Sequence, residues 1–161
     1  MAGTGVHNFS LCEDLSTIQW SYGSPTNDEL ESIFSTIINN KNTELKIEFS
    51  YVSFRSDTSL DLTNLKSSNV KQISIGTGYN DRSLHKLITT ADIPSLQNIT
   101  ISGFTALNTI DFNALTNLNT ISISNSNINS LDGIRQVSTL KEVNINNSSI
   151  GNLGDLTILA N

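Results

Sequence analysis

The sequence predicts an α/β fold built as a right-handed solenoid. It should carry a parallel sheet on its concave side, helices on the convex side of the early units, and extended or 3₁₀ segments behind the later ones. Three observations predict it. An apolar-x-x-apolar-x-apolar pattern recurs as Leu96, Ile99 and Ile101, then Leu118, Ile121 and Ile123, then Leu140, Val143 and Ile145, each set 22 residues after the last. The agreement runs on past this pattern, because Ile128, Leu131, Ile134 and Val137 answer in phase to Ile150, Leu153, Leu156 and Leu159. Finally, the last two apolar residues of each set stand two apart and share one face of a strand. One such strand cannot bury that face alone, whereas stacked neighbours bury a continuous core.

In chain order, the first strand falls on Leu15, Ile18 and Trp20. The second falls on Leu45 and Ile47, with Asn42 in the first apolar slot, and the third on Val70, Ile73 and Ile75. With the three later sets this makes six units spaced by 27, 28, 26, 22 and 22 residues. The 22-residue units leave too little chain for a full helix, so 3₁₀ or extended returns are expected there. The longer units have room for helices. After the first strand, Pro25-Thr26-Asn27-Asp28-Glu29 reads as a helix start, with Thr26 and Glu29 at capping-box spacing. Leu30, Ile33, Phe34, Ile37 and Ile38 then form one apolar stripe, and Lys41 lies just past the end, where a cation complements the helix dipole. Leu60, Leu62 and Leu65 fit a short turn or helix between Asp57 and Lys66. A second helix is expected after Asn80, with Leu84, Leu87 and Ile88 inward, ending before Ile93-Pro94.

The stretches Leu118-Asn-Thr-Ile-Ser-Ile-Ser-Asn-Ser-Asn-Ile128 and Leu140-Lys-Glu-Val-Asn-Ile-Asn-Asn-Ser-Ser-Ile150 resemble the L-x-x-L-x-L-x-x-N-x-L core of the leucine-rich repeat family. The resemblance covers roughly residues 15–161. The early units look like the longer, helix-bearing class typified by ribonuclease inhibitor, and the last two like the short class typified by internalins. In that family an Asn side chain at the ninth position bonds the turn backbone along a ladder. Here Ser126 and Ser148 stand in its place, with one donor and a shorter reach, and Phe104 interrupts the ladder in the fourth unit. The organisation expected is a flank or cap over residues 1–14, where Phe9 and Leu11 alternate as a short strand would, and a repeat domain of about six units over residues 15–161. The repeat reads as truncated at its C-terminal end, because Leu159-Ala-Asn161 stops one residue before the next apolar slot.

Composition bounds the function. Of 161 residues, 37 % are hydrophobic and only 15 % charged, the balance being uncharged polar residues, chiefly Asn, Ser and Thr. Low charge separates the chain from charge-rich disordered segments. A net charge of −6 argues against nucleic acid as a partner, and no apolar run is long enough for membrane insertion. With Cys12 alone there is no intrachain disulfide and no cysteine zinc site, and His7 and His85 read as surface or capping residues. Gly76-Thr-Gly78 lacks the third glycine of a dinucleotide fingerprint, and GK[ST], HExxH and GxSxG do not occur. Asp57, Asp61 and Asn64 do not follow a calcium-loop spacing. No enzyme activity, cofactor or metal is therefore expected. Localisation leans toward the cell surface or secretion rather than the cytoplasm, on composition alone.

Function in stacked-repeat folds sits on the concave sheet. Its outward positions are Thr17, Gln19 and Ser21; Glu44, Lys46 and Glu48; Gln72, Ser74 and Gly76; Asn98, Thr100 and Ser102; Thr120, Ser122 and Ser124; and Glu142, Asn144 and Asn146. This row is small, polar and nearly uncharged from the third unit on. The reading it supports is a non-catalytic protein–protein interaction module, with Tyr51 and Arg55 after the second strand and Tyr79 and Arg82 after the third as rim anchors. Phe54 reads equally well as core. One alternative is a glycan- or ice-surface-binding solenoid using the Thr100/Ser102 and Ser122/Ser124 hydroxyl rungs. Another is the recognition part of a larger effector or enzyme whose catalytic part lies elsewhere.

Overall fold

A computed structural model describes residues 9–54, 59–66, 68–81, 84–88 and 92–152. In chain order the elements are β1 (Thr17–Gly23), α1 (Asn27–Thr36), β2 (Leu45–Val52), β3 (Ser59–Asp61), a 3₁₀ turn (Thr63–Leu65), β4 (Val70–Asp81) and β5 (Lys86–Ile88). They continue with β6 (Asn98–Phe104), β7 (Leu107–Asp111), β8 (Thr120–Ser124), β9 (Asn127–Asp132), a 3₁₀ turn (Ile134–Gln136), β10 (Glu142–Asn146) and β11 (Ser149–Ile150).

The strands form two sheets, one of six strands in the order β1-β2-β4-β6-β8-β10 and one of five in the order β11-β9-β7-β5-β3. From β2 onward the chain alternates strictly between them, returning one strand further along each time. Every pairing among the described strands is parallel. The architecture is therefore mostly parallel sheet with little helix. The register bears out the later spacings, with Ile73 beside Ile99, Ile99 beside Ile121 and Ile121 beside Val143. It corrects the first two: Ile18 stands beside Ile47 and Ile47 beside Ile73, offsets of 29 and 26 residues instead of 27 and 28, so Ile47 and Phe49, not Leu45 and Ile47, fill the inward strand slots of β2. Along β6 and β8 burial alternates with period two, the isoleucines inward and the Ser and Thr side chains half-exposed.

Both sheets feed one contiguous apolar cluster. Ile73, Ile99 and Ile121 from the first sheet, Leu60, Leu87, Ile110 and Leu131 from the second, and Leu30, Ile33 and Phe34 from α1 all belong to it. Each such side chain removed from water contributes about 1.5–3 kcal/mol, which is why the pattern survives changes of unit length. Phe54 and Phe104 are completely buried in this interior with ring centroids 6.2 Å apart, so Phe54 is core.

Helix α1 starts as the sequence predicts. The Thr26 hydroxyl accepts from the Glu29 N–H, and the Glu29 carboxylate accepts from the Thr26 N–H at 3.0 Å. The helix ends at Thr36 with Ile37 as its C-cap, and Lys41 does not serve the helix dipole; it pairs with Glu13 instead. Three further expectations are corrected. The described residues between Asn80 and Ile93 hold no helix: β4 continues to Asp81, and Lys86–Ile88 is a strand paired with β3 and β7. Leu84 and Leu87 are buried as expected, but in a chain entering a strand, where backbone bonds to two neighbours outweigh a short helix with no cap. Between Asp57 and Lys66, a short strand precedes the expected turn. Residues Phe9 and Leu11 form no strand: the Cys12 N–H closes a turn on the Phe9 carbonyl, the Phe9 N–H bonds Thr36 Oγ1, and Leu11 is exposed. Leu153 and the residues after it, including Leu159 to Asn161, lie outside the described residues, as does His7.

Candidate functional site

The first sheet turns one face to the apolar cluster and the other to solvent, and the strand pairings align the outward residues in three rows. The first row is Thr17–Lys46–Gln72–Asn98–Thr120–Glu142, the second Gln19–Glu48–Ser74–Thr100–Ser122–Asn144. The third runs Ser21–Ser50 and then Gly76–Ser102–Ser124–Asn146. The rungs touch along the rows, where Ser124 Oγ donates to Ser102 Oγ at 3.0 Å and Asn144 Nδ2 reaches Ser122 Oγ at 3.4 Å, and between rows, where Asn144 Nδ2 donates to Glu142 Oε1 at 3.0 Å. Glu44 sits outside these rows. It precedes β2, takes an ion pair from Lys71 at 2.5 Å, and donates its N–H to Asn42 Oδ1.

The rim residues divide. Tyr51 belongs to β2 and is exposed, and Tyr79 falls within β4, in the stretch between Gly76 and Asp81 where the register to β6 shifts. Arg55 and Arg82 lie outside the described residues. The structure therefore joins Tyr51 to a residue that sequence reasoning passed over. Tyr22 and Tyr51 stack with ring centroids 5.0 Å apart and planes 6° from parallel.

Why the rings meet follows from the backbone. Just past the inward apolar residues of β1, β2, β6, β8 and β10 the chain turns through the left-handed region, at Tyr22 (φ 60°), Tyr51 (φ 57°), Gly103 (φ 86°), Asn125 (φ 50°) and Asn147 (φ 46°). Glycine and asparagine are the ordinary occupants of such a turn; tyrosine is not. The side chains then lie in file along the strand ends, and Asn147 Nδ2 donates to Asn125 Oδ1 at 2.7 Å just as the two tyrosines stack. The signal was present in the sequence: Tyr22 follows Trp20 at the offset by which Tyr51 follows Phe49 and Gly103 follows Ile101.

Beside the tyrosines a cleft of about 650 Å³ is lined by Thr77, Gly78, Gly103, Thr105, Asn125, Asn127 and Asn147. It adjoins the stack, since a Cβ on Gly78 would collide with the Tyr51 ring. Among the described residues its lining carries amides, hydroxyls and bare backbone, and no titratable group. A second cleft, near 470 Å³, lies where α1 meets β3 and includes Glu31 and Asp61. There the Asp61 carboxylate is engaged by the Thr63 N–H at 2.8 Å and the Thr63 hydroxyl at 2.5 Å, closing the 3₁₀ turn. Among the described residues, no group of three or more His, Cys, Asp or Glu side chains is placed to hold a metal ion, and no helix is long and apolar enough to cross a membrane. No protein-family model, curated protein or solved structure matches the chain.

Proposed function

We propose that the chain is a solenoid of the leucine-rich-repeat kind, and that it works as a non-catalytic module binding a partner protein on the outward face of its first sheet. The observation that carries this reading is the in-register outward face, six strands wide and aligned row by row, which offers a broad even surface rather than a pocket. The 22-residue offset between paired strands β6, β8 and β10 supports the repeat assignment. Charge sits at the two ends of the face, with Lys46 and Glu48 on β2 and Glu142 on β10, while the middle is neutral hydroxyl and amide. Such a layout sets orientation by its charged ends and leaves the centre for close approach.

Site-specific photo-crosslinking tests it. A photoreactive residue at Thr100 or Ser122 is expected to trap one defined protein, and Ser122→Arg to abolish the adduct in a folded chain. Equal labelling from a probe at exposed Asn113, off this sheet, would count against the face.

A further inference from the structure

We propose that the strand-end edge of the first sheet carries a second site, distinct from the outward face, that binds a neutral oligosaccharide: Tyr22 and Tyr51 form the platform and the adjoining cleft supplies the hydrogen bonds. Three observations lead there. The first is that both tyrosines hold a backbone conformation disfavoured for their type, at the turn position that Gly103, Asn125 and Asn147 fill without strain. Packing does not account for them, because Tyr22 is 73 % and Tyr51 57 % exposed. Strained residues that contribute little burial are retained for what they present to solvent.

The second is the geometry of what they present. The rings are stacked and nearly parallel, Tyr22 on the edge strand and Tyr51 one strand in, with the Cδ1 edge of Tyr51 set against Gly78. An aromatic face carries partial negative charge and attracts the weakly positive C–H bonds of a sugar ring, while apolar area is removed from water. The third is the neighbouring cleft. At about 650 Å³ it falls in the range of small-molecule sites, roughly 300–1,000 Å³. Asn147 Nδ2 is used on Asn125 Oδ1, which leaves the Asn125 amide nitrogen as a donor and Asn147 Oδ1 as an acceptor. Sugar hydroxyls both give and accept hydrogen bonds, so they match this mixed set. Among the described lining residues a charged ligand would find no countercharge. A proline-rich peptide also stacks on tyrosine, but its grooves are walled by aromatics rather than amides.

The test is titration calorimetry of the full chain with cellotetraose, maltotetraose, mannotetraose and N-acetylchitotetraose. At least one is expected to bind saturably, and Tyr22→Asn/Tyr51→Asn to weaken it by about tenfold or more. Because asparagine suits the left-handed turn, that variant should melt no lower than the parent, whereas Tyr22→Phe/Tyr51→Phe should keep the binding. Should the double asparagine variant fail to fold, Tyr22→Ala on the edge strand gives the same readout. The proposal is overturned if none of the four saccharides binds at millimolar concentration, if binding survives loss of both rings, or if a proline-rich peptide takes their place on the tyrosines. Crosslinking from Thr100 is indifferent to all of these, so the site and the outward face stand or fall separately.

Discussion

Ser126 accepts the Phe104 N–H on its Oγ at 3.2 Å, and the same hydroxyl donates to the Ser124 carbonyl at 2.8 Å. Ser148 repeats this one unit on, taking the Ser126 N–H at 3.1 Å and donating to the Asn146 carbonyl at 2.9 Å. Each serine thereby satisfies a turn amide of the preceding strand and a carbonyl of its own. The ladder ends at Phe104, which offers it a backbone N–H and sends its ring into the core. A two-atom side chain suffices because parallel strands lie only about 4.8 Å apart.

Removing Ser126 Oγ should therefore strand a buried donor. The donor is the Phe104 N–H, on a fully buried residue, and an unsatisfied buried amide costs about 1–3 kcal/mol. Ser126→Ala is expected to lose that much stability in urea unfolding, and Ser148→Ala less than half of it, because at half-exposed Ser148 water can replace the lost hydroxyl on the Ser126 N–H. Equal losses would show that the ladder bonds do not depend on burial.

Asn40 is the corresponding device at the other end of the chain. Buried to 3 % exposure, it accepts the Leu15 N–H on Oδ1 at 3.1 Å and donates Nδ2 to the Leu15 carbonyl at 2.8 Å, tying the approach to β1 to the loop after α1. Its Oδ1 also accepts the Asn42 N–H. Asn40→Asp keeps the size but replaces the donor with an acceptor facing the Leu15 carbonyl. It should destabilise by about 2 kcal/mol or more, whereas breaking the exposed Lys71–Glu44 pair should cost under about 1 kcal/mol. Urea unfolding reads both changes; an Asn40→Asp loss no larger than that from the ion pair would contradict the assigned Nδ2 bond to the Leu15 carbonyl.

What the sequence revealed, and what it hid, follows from how each feature is encoded. The first sheet was legible from β4 onward because Ile73, Ile99, Ile121 and Val143 stand in one line, and burial on a parallel sheet demands that line; β2 was read two residues out of register, because Leu45 and Ile47 offer the same apolar alternation as Ile47 and Phe49. Helix α1 was legible through Thr26 and Glu29, which encode its start in their own side chains. Strand β5 was not, because Leu84 and Leu87 stand three apart, a spacing that a helix shares with a chain turning into a short strand. Phe54 looked like rim or core, and only the second sheet, whose short strands leave little alternation to read, decides it. The Tyr22–Tyr51 pair was carried only as a register: each stands two residues past an inward residue of its strand, Trp20 or Phe49, where Gly103, Asn125 and Asn147 stand in later units, and composition alone does not bring that register out.

The capping box gives a local check on that legibility. Thr26→Ala removes the hydroxyl that accepts the Glu29 N–H and should cost about 1 kcal/mol. Glu29→Ala removes the reciprocal bond to the Thr26 N–H. Since the two residues touch, the double variant should lose less than the sum of the singles, and strict additivity in a double-mutant cycle would mean that the two bonds act independently.

The core should weaken along the sheet rather than uniformly. Ile121 on β8 is fully buried, with Ile99 on one side and Val143 on the other, whereas Ile145 on β10, the last of the described strands of its sheet, is 37 % exposed. A large-to-small change leaves a cavity only where neighbours close around it. Ile121→Ala is therefore expected to cost about 2–5 kcal/mol, and Ile145→Ala under about 1.5 kcal/mol. Urea unfolding with an unchanged slope would attribute both losses to the native core. If the two substitutions prove equally damaging, then β10 is covered as thoroughly as β8 and Ile145 is not exposed in solution.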